Sequence, residues 1–140
     1  MTRFVLATLL LPAIACTPAA WAADLEVRLQ GLRSQDGSVR VSVVDSAAGW
    51  DGEAAPVAAQ QLTATGNAVR MHVADLAPGA YAVMAFHDEN GNGRLDTNLV
   101  GMPVEGYGFS NNPQVMRKPT FDEARFDLGA DDLVLDIAIR

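Results

Sequence analysis

The sequence predicts an all-β fold: a single antiparallel β-sandwich of about seven strands with one long loop. Two observations lead to this class. Short segments in which apolar and polar residues alternate recur along the chain between turn residues, which is the pattern of half-buried strands. No amphipathic helical pattern of ten or more residues interrupts them, so the strands are expected to pack against one another.

The alternating segments predict the strands in chain order. Four are clear, at 25–30, 39–44, 69–74 and 133–139, and two are weaker, at 60–64 and 121–128. A further strand, 82–86, follows a Leu-x-Pro-Gly-x-Tyr sequence that ends at Tyr81. That sequence is typical of the tyrosine corner of Greek-key sandwiches, so we expect the Tyr81 hydroxyl to bond backbone near 75–78. The alternative is a buried Tyr with no special hydrogen bond.

The N-terminus has the order of charged, apolar and small residues that marks a cleaved secretory signal peptide. Arg3 precedes an apolar stretch at 4–15, and Ala20 and Ala22 form a small-x-small cleavage pattern. The expected division is therefore a signal peptide at 1–22, which is removed, and one β-sandwich domain at 23–140. The apolar stretch is shorter than the roughly 20 residues that a membrane span needs, and we expect no transmembrane segment.

Two alternatives to this processing stay open. The apolar stretch could form a buried N-terminal helix, or Cys16 could carry the lipid anchor of a lipoprotein. If cleavage follows Ala22, Cys16 leaves with the signal peptide, and the exported domain has no disulfide. We expect a periplasmic or secreted protein, with anchoring at Cys16 as the minor alternative.

The acidic composition argues against two classes of partner. The chain has 17 Asp and Glu against 10 Lys and Arg, a formal net charge of −7. Nucleic acids and anionic lipid surfaces are bound through basic patches, so we expect neither to be a partner. The same charge is compatible with divalent cations.

The longest segment without a strand pattern, 87–120, is the expected location of function, because long loops in compact domains are often functional. Its start matches the first half of the calcium-loop pattern D-x-[DN]-x-[DN]-G, which ends at Gly93. Oxygen-bearing side chains at alternate positions converge on a hard cation when the chain turns at the Gly. The candidate Ca²⁺ ligands are Asp88, Asn90, Asn92, the backbone carbonyl of Arg94, and Asp96.

The calcium pattern is incomplete, because Leu99 stands where such loops carry a bidentate Glu. Glu105 or Asn98 would have to complete the site. The alternative interpretation is that the Asn-Gly pairs form turns, with Asp88 and Asp96 accepting hydrogen bonds from loop amides.

Two aromatic residues, Tyr107 and Phe109, stand between glycines in the second half of the segment. They are candidate binding residues, since aromatic rings can form a platform for a sugar or a peptide. The alternative is that they plug the end of the sandwich. Trp50, in the loop 46–56, has the same two interpretations.

No catalytic constellation is apparent in the sequence. It lacks Gly-x-Ser-x-Gly, His-Glu-x-x-His, paired-Cys and phosphate-loop motifs, so we do not expect an enzyme. His87 and Asp88 are neighbours at a strand end, and their side chains should point in opposite directions. His72 falls on the polar side of its strand and is expected to be solvated.

Four segments together resemble a known bacterial family. They read Leu76-x-Pro-Gly-x-Tyr-Ala-Val, Phe86-His-Asp-Glu-Asn-Gly-Asn-Gly, Asp96-Thr-Asn and Gly101-x-Pro-x-Glu-Gly-x-Gly-Phe-Ser-Asn-Asn. The family is the domain of unknown function 2141 family, and the resemblance extends over essentially all of 23–140. It implies an exported, mostly Gram-negative protein whose sandwich is distantly similar to prealbumin-like or carboxypeptidase-regulatory-like domains. It implies no activity. The expected fold is accordingly an Ig-like or prealbumin-like Greek key.

The expected function is that of an exported, non-catalytic binding or accessory domain with a Ca²⁺-ordered loop. Its partner would be an unknown protein or small ligand of the cell envelope. The alternative is a structural or interaction domain without metal, which docks a partner through a sheet edge or through the loop aromatics.

Overall fold

The computed structural model describes residues 21–140, which fold into two packed β-sheets. The strands of these residues are β1 (Ala23–Gln30), β2 (Ser38–Val44), β3 (Ala58–Thr63), β4 (Ala68–Leu76), β5 (Gly79–Asp88), β6 (Tyr107–Phe109), β7 (Phe126–Leu128) and β8 (Leu133–Ala138). Two single-turn helices, α1 (Ala47–Trp50) and α2 (Phe121–Ala124), lie in the connections. The predicted all-β sandwich is confirmed, with eight strands in this part of the chain where about seven were expected.

The strand order is β4-β1-β8 in one sheet and β3-β2-β5-β6 in the other, and β7 pairs with the start of β5. One pair departs from the prediction of an entirely antiparallel sandwich. β1 and β8 run parallel, from Leu25 opposite Leu133 to Gln30 opposite Ala138. Alternation shows which face of a strand is buried but not its direction, so the sequence pattern could not distinguish the two arrangements.

The hydrophobic core lies between the two sheets and is formed by alternate residues of each strand. Its fully buried members include Leu25, Val27 and Leu29 of β1, Val39, Val41 and Val43 of β2, and Met71, Val83 and Ile137. Each such side chain contributes about 1.5 to 3 kcal/mol by leaving water, so this packing is the main source of stability.

The predicted tyrosine corner is confirmed. The Tyr81 hydroxyl donates a hydrogen bond to the Ala77 carbonyl at 2.7 Å, across the turn that joins β4 to β5. The Tyr81 ring is buried in the core and lies against the ring of Phe126 on β7. The corner therefore fixes the point at which β5, the central strand for the site described below, enters its sheet.

One predicted strand is partly wrong. The segment 121–128 forms α2 first and becomes a strand only in β7. Thr120 and Glu123 form a reciprocal capping box, in which the Thr120 hydroxyl accepts the Glu123 amide and the Glu123 carboxylate accepts the Thr120 amide. This pattern stabilises the first turn of a helix, and it outweighs the weak strand signal of the apolar residues.

The segment 87–120 is less irregular than predicted. β5 continues to Asp88, and the three residues of β6 return to pair with it. A single bridge between Thr97 and Pro103 closes the tip of the loop between these strands.

The predicted signal peptide lies outside the described residues except for Trp21 and Ala22, and so does Cys16. Cleavage and lipid anchoring therefore stay predictions. Among residues 21–140, no helix has the length and apolar character needed to cross a membrane.

Candidate functional site

An apolar groove lies on the outer face of the second sheet, the face turned away from the core. Residues of β5 alternate between the two faces, so Val83 is buried in the core while Met84 and Phe86 point outward. The strand register places Phe109 of β6 opposite Met84 and Tyr107 opposite Phe86. Four large side chains thus lie together and form the floor of the groove.

Two other segments complete the lining. The loop between β5 and β6 contributes Leu95, Met102 and Pro103, and the segment before α2 contributes 116–118. The volume of the groove is about 400 Å³. This size falls within the range of small-molecule sites, about 300 to 1,000 Å³.

The predicted binding residues Tyr107 and Phe109 are half-buried, and both line the groove. Their ring centroids are 5.7 Å apart, and the Phe109 ring is 5.6 Å from that of Trp50. Trp50 itself is almost fully buried, and its indole N–H donates to the Pro119 carbonyl at 2.8 Å. Trp50 thus joins α1 to the segment before α2, while the other two rings remain open to the groove.

The charged groups in the groove lining are all positive: Arg117 and Lys118. Arg117 makes a bidentate pair with Glu123, with both contacts at 2.8 Å, and this pairing lowers the pKa of Glu123 to about 2. The Lys118 ammonium donates to the Trp50 carbonyl at 2.6 Å and lies 5.2 Å from the centre of the Trp50 ring. The sequence analysis did not single out these two residues, because a two-residue basic run is common on solvated surfaces.

Asp88, the first candidate Ca²⁺ ligand, organises the loop next to the groove. Its side chain is fully buried and accepts hydrogen bonds from the backbone N–H groups of Asn92 at 3.0 Å and Gly93 at 2.8 Å. It also pairs with the guanidinium of Arg40 on β2 at 3.1 Å. Burial raises the pKa of Asp88, but these bonds to the ionised form outweigh burial and lower it overall.

The other side-chain candidates converge on Asp96. The side-chain amides of Asn90 and Asn92 donate to its carboxylate. Their side-chain oxygens accept hydrogen bonds from the backbone instead: that of Asn90 from the Asn92 N–H and that of Asn92 from the Arg94 N–H, each at 3.0 Å. The side chains of Asn90, Asn92 and Asp96 are therefore in contact, whereas Asp88 is bonded to the loop backbone. A shared cation would require the two amide groups to turn their oxygens toward it.

The two completing ligands suggested by the sequence hold the loop closed. The Glu105 carboxylate is buried and accepts hydrogen bonds from the backbone N–H groups of Glu89 at 2.9 Å and Asp96 at 3.0 Å. The side-chain oxygen of Asn98 accepts the amides of Val100 and Met102, each at 3.0 Å. Within residues 21–140, no three His, Cys, Asp or Glu side chains come together as a metal site.

His87 and Asp88 point to opposite faces of β5, as predicted. His87 is fully buried, with its Nε2 atom 2.8 Å from the Asp36 carbonyl, and its Nδ1 atom has no hydrogen-bond partner among the described residues. Asp88 bonds Arg40 on the groove side. The two side chains therefore do not form a catalytic dyad. His72 is well exposed, as expected, and lies 3.2 Å from Asp24.

Comparison with protein families identifies a match over most of the chain. The model of a family described as uncharacterized protein conserved in bacteria (DUF2141) matches residues 27–135. The chain belongs to this family. The matched DUF2141 region contains both the groove and the segment 88–96 that carries the candidate Ca²⁺ ligands, called the acidic loop below. Searches of curated proteins and of solved structures gave no match.

Proposed function

We propose that this DUF2141 protein is an exported, non-catalytic binding domain of the cell envelope that holds a small apolar ligand in the groove. The observation that carries the proposal is the floor formed by Met84, Phe86, Tyr107 and Phe109, which is open to solvent. An outward sheet face of a small domain normally carries polar side chains, so a formed apolar groove there is best explained by a ligand.

The rim of the groove supports this function. Met102 is 43% exposed and Met116 is 90% exposed, and both line the groove. Exposed apolar clusters on soluble proteins mark interaction sites. Met side chains are unbranched and flexible, so they can adapt to the shape of a ligand.

We further propose that Ca²⁺ orders the loop that forms one part of the lining. The support is the spacing from Asp88 to Asp96, together with the hydrogen bonds that join the side chains of Asn90 and Asn92 to Asp96 and the Asn92 backbone to Asp88. Leu95 lies in the groove and directly precedes Asp96, so whatever fixes Asp96 also positions this part of the lining. Ca²⁺ binding and ligand binding would therefore reinforce each other.

Docking through the edges formed by β6 and β8 has less support than binding in the groove. The Asn112 side chain covers the outer edge of β8. Its NH₂ group donates to the Asp136 carbonyl at 3.0 Å, and its oxygen accepts a hydrogen bond from the backbone N–H of Ala138 at 2.8 Å. The backbone of Tyr107 pairs in both directions with Arg140 just beyond β8, at 3.1 and 3.0 Å. Side-chain or backbone covering of this kind prevents strand addition.

The proposal is tested with N-phenyl-1-naphthylamine, a neutral apolar dye that fluoresces when it leaves water. We expect saturable binding at one site per chain. A Met102→Gln, Met116→Gln double variant should weaken binding about tenfold, because it removes apolar contact worth about 1 to 2 kcal/mol. The matched control is Val134→Gln on β8, since Val134 is 45% exposed and does not line the groove.

The control should leave the dye affinity unchanged, and all variants should keep the wild-type melting temperature. The groove proposal would be wrong if the dye showed no saturable binding, or if the double variant bound it as tightly as the wild type.

A further inference from the structure

We propose that the groove takes a single-chain amphiphile with an anionic head group, of the class of long-chain carboxylic acids. Its chain would lie on the apolar floor and its carboxylate would meet Lys118. This inference rests on the proposed function of the groove and assigns the chemical class of its ligand.

The polarity of the lining is the first argument. Twelve residues line the groove, and only Tyr107, Arg117 and Lys118 have polar side chains. No acidic residue is among them, although the chain has 17 Asp and Glu against 10 Lys and Arg. An apolar surface bordered only by positive charge, on an otherwise acidic protein, is complementary to an apolar molecule with a negative end.

Lys118 is the group suited to meet that negative end. It is the only lysine in the sequence. Its nearest carboxylate, on Asp51, is 3.9 Å away and exposed, so the charge is only loosely paired. An ammonium has three N–H donors, and here one is bonded to the Trp50 carbonyl. Arg117 is less available, because Glu123 binds it bidentately.

The same lining argues against a peptide. A peptide backbone has a donor and an acceptor at each residue, and each would lose its hydrogen bonds to water in the groove without replacement. The β6 backbone cannot supply them along the groove, because Tyr107 already pairs in both directions with Arg140. An alkyl chain needs no such partners.

The test compares three probes that share one chain length: decanoate, decanol and decylammonium. Each is titrated into the full chain by calorimetry, below its micelle concentration and at neutral pH. We expect affinity to fall in the order decanoate, decanol, decylammonium. Trp50 fluorescence reports on the ligand, because the centre of the Trp50 ring is 5.6 Å from that of Phe109 and 5.2 Å from the Lys118 ammonium. A Trp21→Phe background leaves Trp50 as the only Trp, whether or not the segment 1–22 is removed.

The Lys118→Gln variant should lower decanoate affinity about tenfold and leave decanol affinity unchanged. Lys118→Arg should restore most of the decanoate affinity. Arg125→Gln is the matched control: Arg125 and Lys118 are each 49% exposed, and each lies 3.8 to 3.9 Å from an acidic partner. It removes the same charge outside the groove and should change none of the three affinities.

The outcomes separate this inference from the proposed function. Equal affinity for the three probes, or equal decanoate affinity in Lys118→Gln and wild type, would overturn the head-group assignment while dye binding still supported the groove. If neither the dye nor decanoate bound, both proposals would fall. Self-association through this face, seen by sedimentation and abolished in the Met102→Gln, Met116→Gln variant, would replace the amphiphile with a second copy of the chain.

Discussion

Calcium should bind the acidic loop weakly and raise the melting temperature of the protein. The weakness follows from the charges of the candidate ligands and their neighbours. Asp88 and Asp96 bring two negative charges, but Arg40 already neutralises Asp88 at 3.1 Å. The Asn90 and Asn92 oxygens must also give up their bonds to backbone amides before they can face a cation. We therefore expect a dissociation constant on the order of 10⁻⁴ to 10⁻³ M, as in extracellular modules.

A weak site still has a measurable effect on stability. At ten times its dissociation constant, Ca²⁺ adds about 1.4 kcal/mol to the free energy of unfolding. For a domain of this size, the melting temperature should rise by roughly 5 to 10 °C. Mg²⁺ should do much less, because it demands a smaller octahedral site and gives up its waters reluctantly. Scanning calorimetry at increasing concentrations of each ion gives both the shift in melting temperature and the dissociation constant.

Three variants make the calcium experiment specific. Asp96→Asn should abolish the shift, because Asp96 is the carboxylate on which the loop converges. Asp88 is unsuitable for this purpose, since its removal would leave Arg40 and two loop amides without their partner. Arg40→Gln should lower the melting temperature of the metal-free protein but enlarge the calcium shift, because it removes the competing cation. Asp127→Asn is the control, because Asp127 is the exposed residue of β7 and lies outside the loop.

The calcium proposal fails if about 10 mM Ca²⁺, which is ten times the weakest dissociation constant expected, produces no shift. It also fails if Asp96→Asn shows the same shift as wild type. In either case the Asn-Gly turns would be the full explanation of the loop. A positive result should extend to the groove, where Ca²⁺ is expected to tighten dye binding through Leu95.

Three further predictions concern the fold that supports the site. Tyr81→Phe should lower the free energy of unfolding by about 1 to 3 kcal/mol in a urea titration, because the Ala77 carbonyl loses its partner; an unchanged midpoint would refute the corner. Ser110→Ala should cost about 2 to 4 kcal/mol in the same assay, because the fully buried hydroxyl serves two backbone groups and both would be left unpaired; a cost below 1 kcal/mol would contradict this. Arg117 lowers the pKa of Glu123 to about 2, so the ionised Glu123 should stabilise the folded state fully above pH 4.5 and lose this effect as the pH falls toward 2. Glu123→Gln should remove that part of the acid dependence of the melting temperature.

Much of the fold could be predicted from the sequence because alternation is a local property. The fully buried β1 residues Leu25, Val27 and Leu29 are the alternate residues that the pattern assigned to the core. The tyrosine corner was equally local, since Tyr81 and Ala77 are four residues apart. Relations between distant segments were not accessible in this way. The parallel direction of β8 and the Arg40–Asp88 pair, which spans 48 residues, left no trace in a local pattern.

The glycines around Tyr107 show why one part of the site was misinterpreted. Gly106 and Gly108 fall in the segment that the sequence predicts to lack strands, but Gly108 lies within strand β6. A Cβ atom on Gly108 would lie 2.6 Å from the Ala138 carbonyl oxygen, and one on Gly106 would lie 2.6 Å from the Ile139 side chain. These glycines are thus required for the close approach of the C-terminal residues to β6. Glycine is favoured both in irregular loops and where two backbone segments approach closely, so the sequence alone could not distinguish the two explanations.

The strand register connects the acidic loop to the groove in a way that neither feature shows alone. Arg40 on β2 lies opposite Phe86 on β5, and Phe86 lies opposite Tyr107 on β6, so the three form one row across the outer face. Arg40 is held in that row by Asp88, two residues after Phe86 on the same face of β5. A cation that draws Asp88 away from Arg40 would release the guanidinium beside Phe86, in the groove floor. The loop can therefore affect ligand binding by two physical routes, through Leu95 in the lining and through Arg40 beside the floor. Arg40→Gln removes only the second route, so calcium should still tighten dye binding in that variant through Leu95.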